Sequence, residues 1–134
     1  MEKMILLGTH GRFGEELIKS AELILGEMKN VRSFSLLPGM ALEDYIPPVA
    51  ETLRELPKGT LCLVDLFGGT PCNAFCALSR EYGNVVVTGL NLAMLMEVYM
   101  NKDQLPGREL AELAISTLRE SGKNATEILE WANQ

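Results

Sequence analysis

The chain has 134 residues, 47% hydrophobic and 22% charged, with a formal net charge of −6. That length fits one compact domain over residues 1–134 with enough buried surface to need no covalent staple. The acidic balance and the singly scattered basic residues argue against a nucleic-acid binder, whose lysines and arginines gather on one face.

The first apolar run, Met4 to Leu7, is continuous and ends at Gly8, which suits a strand buried on both faces. It is too short for a secretory leader. Leu17, Ile18, Ala21, Ile24, Leu25 and Met28 then follow helical spacing, which predicts a helix over about 14–28. Val31 to Leu36 is the second strand, closed by Pro38 and Gly39. Pro47 and Pro48 are welcome only in a first turn, so the next helix is expected to run from Pro47 to Leu56.

Thr60 to Val64 is the third strand and stops at Asp65. Thr70 caps the following helix, with Pro71 in its first turn. Asn84 to Thr88 is the fourth strand. Asn91 caps a helix carrying Leu92, Leu95, Met96 and Tyr99, and Pro106 opens another that ends before Gly122. Asn124 to Trp131 reads equally as helix or strand. The longest uncharged apolar-rich stretch, Val85 to Met96, is too short to cross a bilayer. A cytoplasmic protein is expected.

Strands alternating with helices, each strand apolar on both faces, predict an α/β fold with a parallel sheet covered twice. The expected strand order is 2-1-3-4, a flavodoxin-like three-layer sandwich. That order sets the loops after strands 1 and 3 diverging at the carboxyl edge, where such folds bind ligands.

Those loops are Gly8 to Gly14 and Asp65 to Pro71, and the first holds the only histidine, His10. A carboxylate at Asp65 can fix the tautomer of His10 and leave the other ring nitrogen free as a nucleophile. Gly11, Gly68 and Gly69 lead into helix starts, whose amides and dipole favour an anion such as phosphate. Thr9 and Thr70 add hydroxyls there. The arrangement suits reversible phosphoryl transfer to histidine. A plain structural role for each residue, or a small-molecule site with an unreactive His10, is the competing interpretation.

Other patterns are missing. No G-x-x-x-x-G-K-[ST] occurs, and no acidic residue ends the second strand, so P-loop and dinucleotide folds are unsupported. The cysteines Cys62, Cys72 and Cys76 form no C-x-x-C and read as small core residues. With His10 they make only a weak zinc signal.

Met4 to Gly14, Leu63 to Asn73 and Gly89 to Glu97 resemble the mannose-class EIIA domain of the bacterial sugar phosphotransferase system. The shared features are a strand ending in G-T-H-G, a P-G after strand 2, L-V-D-x-[apolar]-G-G-[ST]-P-x-N, and G-x-N-x-x-M-L. The resemblance implies that His10 takes a phosphoryl group from HPr and passes it to EIIB. Sugar would then be phosphorylated as it enters through the membrane subunits EIIC and EIID. Asp65 would orient His10, and Thr9, Gly11, Gly68, Gly69 and Thr70 would line the phosphate.

Arg12, Phe13, Met40, Phe67 and Met94 lie in or near the crevice loops and would form the docking surface for those partners. No cofactor and no metal are implied. The resemblance further implies a homodimer, with Asn124 to Trp131 as an antiparallel strand exchanged between subunits. Thr70 replaces the usual serine, and Phe67 a common tryptophan. EIIB is expected on a separate polypeptide. A regulatory phosphohistidine domain and the phosphocarrier domain of dihydroxyacetone kinases are the neighbouring alternatives.

Overall fold

The computed structural model describes residues 3–132. Its elements in order are β1 (Ile5–His10), α1 (Phe13–Leu25), β2 (Val31–Leu36), α2 (Leu42–Arg54), β3 (Leu61–Val64), α3 (Thr70–Tyr82), β4 (Val85–Thr88), α4 (Leu92–Asn101), α5 (Gly107–Ser121) and α6 (Ala125–Ala132). The four strands are parallel and ordered β2-β1-β3-β4, as expected.

Side chains alternate across each strand, so each contributes to two cores. Ile5, Leu7, Leu61 and Leu63 pack under α1, α4 and α5, with Leu17, Ala21, Leu95, Val98, Leu110 and Ala114. Leu6, Cys62 and Val64 pack under α2 and α3, with Tyr45, Val49, Leu53 and Phe75. Burial on both faces is why these strands are continuous apolar runs. Gly8 admits no side chain, because a Cβ there would lie 2.5 Å from the Phe75 ring.

Four elements depart from the sequence expectation. Helix α1 stops at Leu25, because Gly26 takes φ +83°. Met28 is still buried, but on a loop whose amide donates to the Glu22 carboxylate at 3.0 Å. Its apolar spacing therefore marks the core and not the helix.

Helix α2 begins at Leu42, five residues before Pro47, and carries both prolines inside. The Asp44 carboxylate reaches back to accept the Ala41 N–H at 2.8 Å and fixes the start. The bonds the prolines remove would have ended on the carbonyls of Glu43 and Asp44. All four residues are exposed, so those carbonyls are left on the solvent side and not in the core.

The cap of α3 is Gly69, and Thr70 is its first helical residue. Finally, 125–132 is a helix and not the strand the resemblance implied. Asn124 caps it, accepting the Glu127 N–H at 3.1 Å. A strand needs an edge to pair with, whereas an eight-residue helix closes its hydrogen bonds locally.

The register explains where a site opens. β1 pairs with β2 as far as His10↔Leu36, but with β3 only as far as Gly8↔Val64. Thr9 and His10 overhang the end of β3, which leaves the β3 side of β1 without a strand partner. This is the switch point.

Candidate functional site

At the overhang the His10 backbone N–H has lost its strand acceptor. Asp65, the first residue after β3, supplies one: its Oδ2 accepts that N–H at 2.9 Å. The same Oδ2 lies 3.0 Å from His10 Nδ1. Asp65 is itself tethered, its N–H donating to the Gly8 carbonyl at 3.2 Å. The carboxylate side chain is 16% exposed and the imidazole 46%. A carboxylate accepts and does not donate, so Nδ1 carries the proton and Nε2 keeps its lone pair.

The free edge of the ring faces the start of α3. A Cβ on Gly69 would stand 2.7 Å from His10 Cε1 and 3.2 Å from Nε2, but 3.9 Å from Nδ1. Gly69 is glycine because the imidazole occupies that space. Gly68 before it has φ +82°, a turn that glycine adopts without strain. No side chain caps α3, so the Thr70 and Cys72 amides and the half-buried Thr70 hydroxyl are available to a ligand.

Two residues expected at the phosphate are used otherwise. Thr9 is fully buried: its Oγ1 accepts the Gly14 N–H at 2.9 Å and donates to the Gly11 carbonyl at 3.2 Å. The Gly11 amide donates to Leu36 O at 2.8 Å, continuing the β1–β2 ladder. Both shape the loop that carries His10. Alternation along β1 turns Thr9 inward where His10 turns outward, which corrects the expectation for Thr9.

Exposed apolar side chains form a rim along the segments that leave the carboxyl ends of β1, β2 and β3: Phe67 at 83%, Leu66 at 58%, Phe13 at 45%, Leu42 at 42% and Met40 at 39%. Arg12 is exposed and paired with Glu15 at 3.3 Å. Met94 does not belong to the rim. Three residues after the Asn91 cap, it turns into the core and is fully buried. A cavity of about 230 Å³ lies between Arg12, Met40 and Tyr45, and His10 is not among the residues that line it.

Tyr45 was not singled out by sequence reasoning. Its hydroxyl donates to Phe34 O at 2.7 Å, and its ring packs edge-on against Phe75. Burial first, and then the Asp65 charge, push its pKa well above the usual range. Asp65 Oδ1 is buried without a protein partner among the described residues. Cys76 is exposed, against the expectation of three core cysteines, while Cys62 and Cys72 are buried. Among the described residues no group of three potential metal ligands occurs, and no helix is long and apolar enough to cross a membrane.

Fold and site together define a doubly wound α/β protein with a histidine–aspartate pair at its switch point. A sequence model of the EIIA-man family, described as "PTS system fructose IIA component", matches residues 4–115. The chain belongs to that family of the sugar phosphotransferase system (PTS).

It is 40% identical over 124 residues to the PTS system mannose-specific EIIAB component of Escherichia coli (strain K12). That alignment covers 89% of this chain but 38% of the relative. The solved EIIA component from Streptococcus agalactiae superposes with a TM-score of 0.87 at 30% identity, covering 92% of this chain and 98% of the other. The mannose/sorbose-specific IIA subunit from Enterococcus faecalis gives 0.83 at 32% identity, covering 92% and 95%.

Proposed function

We propose that the protein is a phosphoryl carrier of sugar uptake, in which His10 Nε2 accepts a phosphoryl group from phospho-HPr and delivers it to an EIIB component. The observation that carries this reading is the Nδ1–Asp65 contact at 3.0 Å, which leaves Nε2 as the free nitrogen against the start of α3.

In the reaction Nε2 attacks phosphorus in line, the Nε2–P bond forms, and the bond from phosphorus to the donor breaks. The proton on Nδ1 stays where it is. Positive charge developing on the ring meets the Asp65 carboxylate. Charge on the phosphoryl oxygens meets the Thr70 hydroxyl and the uncapped amides of α3. Return of the group to EIIB reverses these steps. Nothing here touches sugar, which is the concern of the EIIC and EIID membrane subunits.

Arg12, Phe13, Met40 and Phe67 form the docking surface for both partners in turn. Exposed aromatic side chains on the segments that follow His10 and Asp65 fit a reactive group that two proteins must reach. The protein acts in the cytoplasm as a homodimer, joined through the C-terminal segment. Support for the dimer lies on α6, where Ile128, Leu129 and Trp131 are 51%, 63% and 77% exposed.

The test is intact mass after incubation with phosphoenolpyruvate, Enzyme I and HPr. One acid-labile phosphoryl group per chain is expected, absent in His10→Ala and lost on adding EIIB. No gain in mass, with HPr demonstrably phosphorylated, overturns the reading.

A further inference from the structure

A cavity of about 400 Å³ opens at the amino edge of the sheet, the end opposite His10. The start of β1, the loop between α2 and β3 and the loop between α4 and α5 enclose it. Its volume falls within the roughly 300–1,000 Å³ of small-molecule sites. One wall is fixed by the backbone. A Cβ on Gly107 would overlap the Gly59 carbonyl, so the α2–β3 loop and the first turn of α5 close on each other there.

The lining has two characters. Leu61 and Leu110, each 2% exposed, form an apolar interior, with Leu56 and Pro57 beside them. Such walls offer no hydrogen bonds to a polyhydroxylated ligand. Lys102, the C-cap of α4, lines the same space and is only 5% exposed. An ammonium shut away from water needs partners for its three N–H bonds. Among the described residues it makes one hydrogen bond, to Asp103 Oδ2 at 3.0 Å, and lies 5.6 Å from the centre of the Tyr99 ring. The other Asp103 oxygen accepts the Lys3 backbone N–H at 2.9 Å.

The remaining charge has the same sign. Lys3 and Lys58 also line the cavity, against one carboxylate, Glu55. No side chain caps α5, and its first residue, Gly107, belongs to the wall. The positive end of that helix adds to the field of the lysines.

We infer that this cavity is a second ligand site, for a small organic anion with a hydrocarbon body, of the monocarboxylate class. The carboxylate takes up the donors of Lys102 that the protein leaves unpaired, and the tail lies against Leu61 and Leu110. Binding makes and breaks no covalent bond. The site is at the far edge of the sheet from His10, so its existence does not depend on the phosphoryl-carrier reading.

The experiment is titration of the ¹⁵N-labelled full chain with octanoate and, separately, with 1-octanol, followed by amide shifts. Saturable shifts are expected at Leu61, Lys102, Gly107 and Leu110, with His10 and Phe67 unmoved. Octanoate should bind roughly 10–100-fold more tightly than octanol. Lys102→Met keeps the length of the side chain and should abolish that preference while octanol binds as before. The comparison of the two probes on the wild type tests the charge even without the variant. Absence of shifts at the cavity, octanol bound as tightly as octanoate, a preference unchanged in Lys102→Met, or shifts centred on Phe67 overturns the inference.

Discussion

Asp65 Oδ2 receives two hydrogen bonds from one residue, His10: from its backbone N–H at 2.9 Å and from its Nδ1 at 3.0 Å. A single oxygen thus ends the β1 ladder and sets the histidine tautomer. Asp65→Asn keeps the geometry and removes the charge. With the amide oxygen in the Oδ2 place both hydrogen bonds from His10 are retained, but no carboxylate meets the positive charge that develops on the ring. Phosphoryl acceptance is expected to fall about 10²–10³-fold, with the fold retained by circular dichroism. An unchanged rate in rapid-quench mass spectrometry rules out the electrostatic role of Asp65.

Gly69→Ala drives a methyl group into the imidazole, 2.7 Å from Cε1. The ring is 46% exposed and can swing away, so stability changes little. Displacement of about 1 Å is expected to slow transfer roughly 100-fold. The ¹⁵N shifts of His10 should move in the same variant. A normal rate there means that the ring does not react in the position seen.

Thr9→Val removes the acceptor of the buried Gly14 N–H and keeps the side-chain volume. The orphaned amide costs about 1–3 kcal/mol. Thr9→Ser keeps the hydroxyl and should recover most of that in urea unfolding. Equal stability of the two variants contradicts the loop-shaping role of Thr9.

Alkaline pH probes the sheet interior. Burial pushes the Cys62 thiol up to about 12, against a hydrogen bond from Asn84 that lowers it. The folded chain therefore holds this proton at a pH where the unfolded chain has released it. The contribution is intact below the unfolded value near 9 and is lost as pH rises towards 12. For one thiol the slope is about 1.4 kcal/mol per pH unit. Cys62→Ala should flatten the stability curve by that amount above pH 9. An identical curve in the variant would place the alkaline loss elsewhere.

Every described residue from Arg119 to Trp131 is exposed, so a chain ending at Gly122 should fold as stably as the full one. Sedimentation is expected to give a dimer for the full chain and a monomer for the shortened one. Two monomers end the homodimer reading. Two dimers move the contact away from the C-terminal segment.

What the sequence by itself determined is the layered architecture and the pairing of His10 with Asp65. Runs such as Leu61 to Val64 can only be strands buried on both faces, and the alternation of strands with helices fixes a parallel sheet. Once strands 1 and 3 are neighbours, the residues that end them must meet. These are consequences of hydrophobic period and chain connectivity, both of which are local in sequence.

The tertiary structure alone decided which loop residues serve the ligand and which serve the loop. Thr9 and His10 are adjacent, yet β alternation buries one and exposes the other. Met94 reads as a crevice residue until α4 is docked, when its face of the helix meets the core. The prolines of α2 look like a helix start until their missing hydrogen bonds are seen to fall on the solvent side. Segment 125–132 has no pattern that separates helix from strand, because that choice depends on whether an edge is there to pair with. Each of these outcomes is set by which surface an element meets after folding, and a residue's identity does not carry that information.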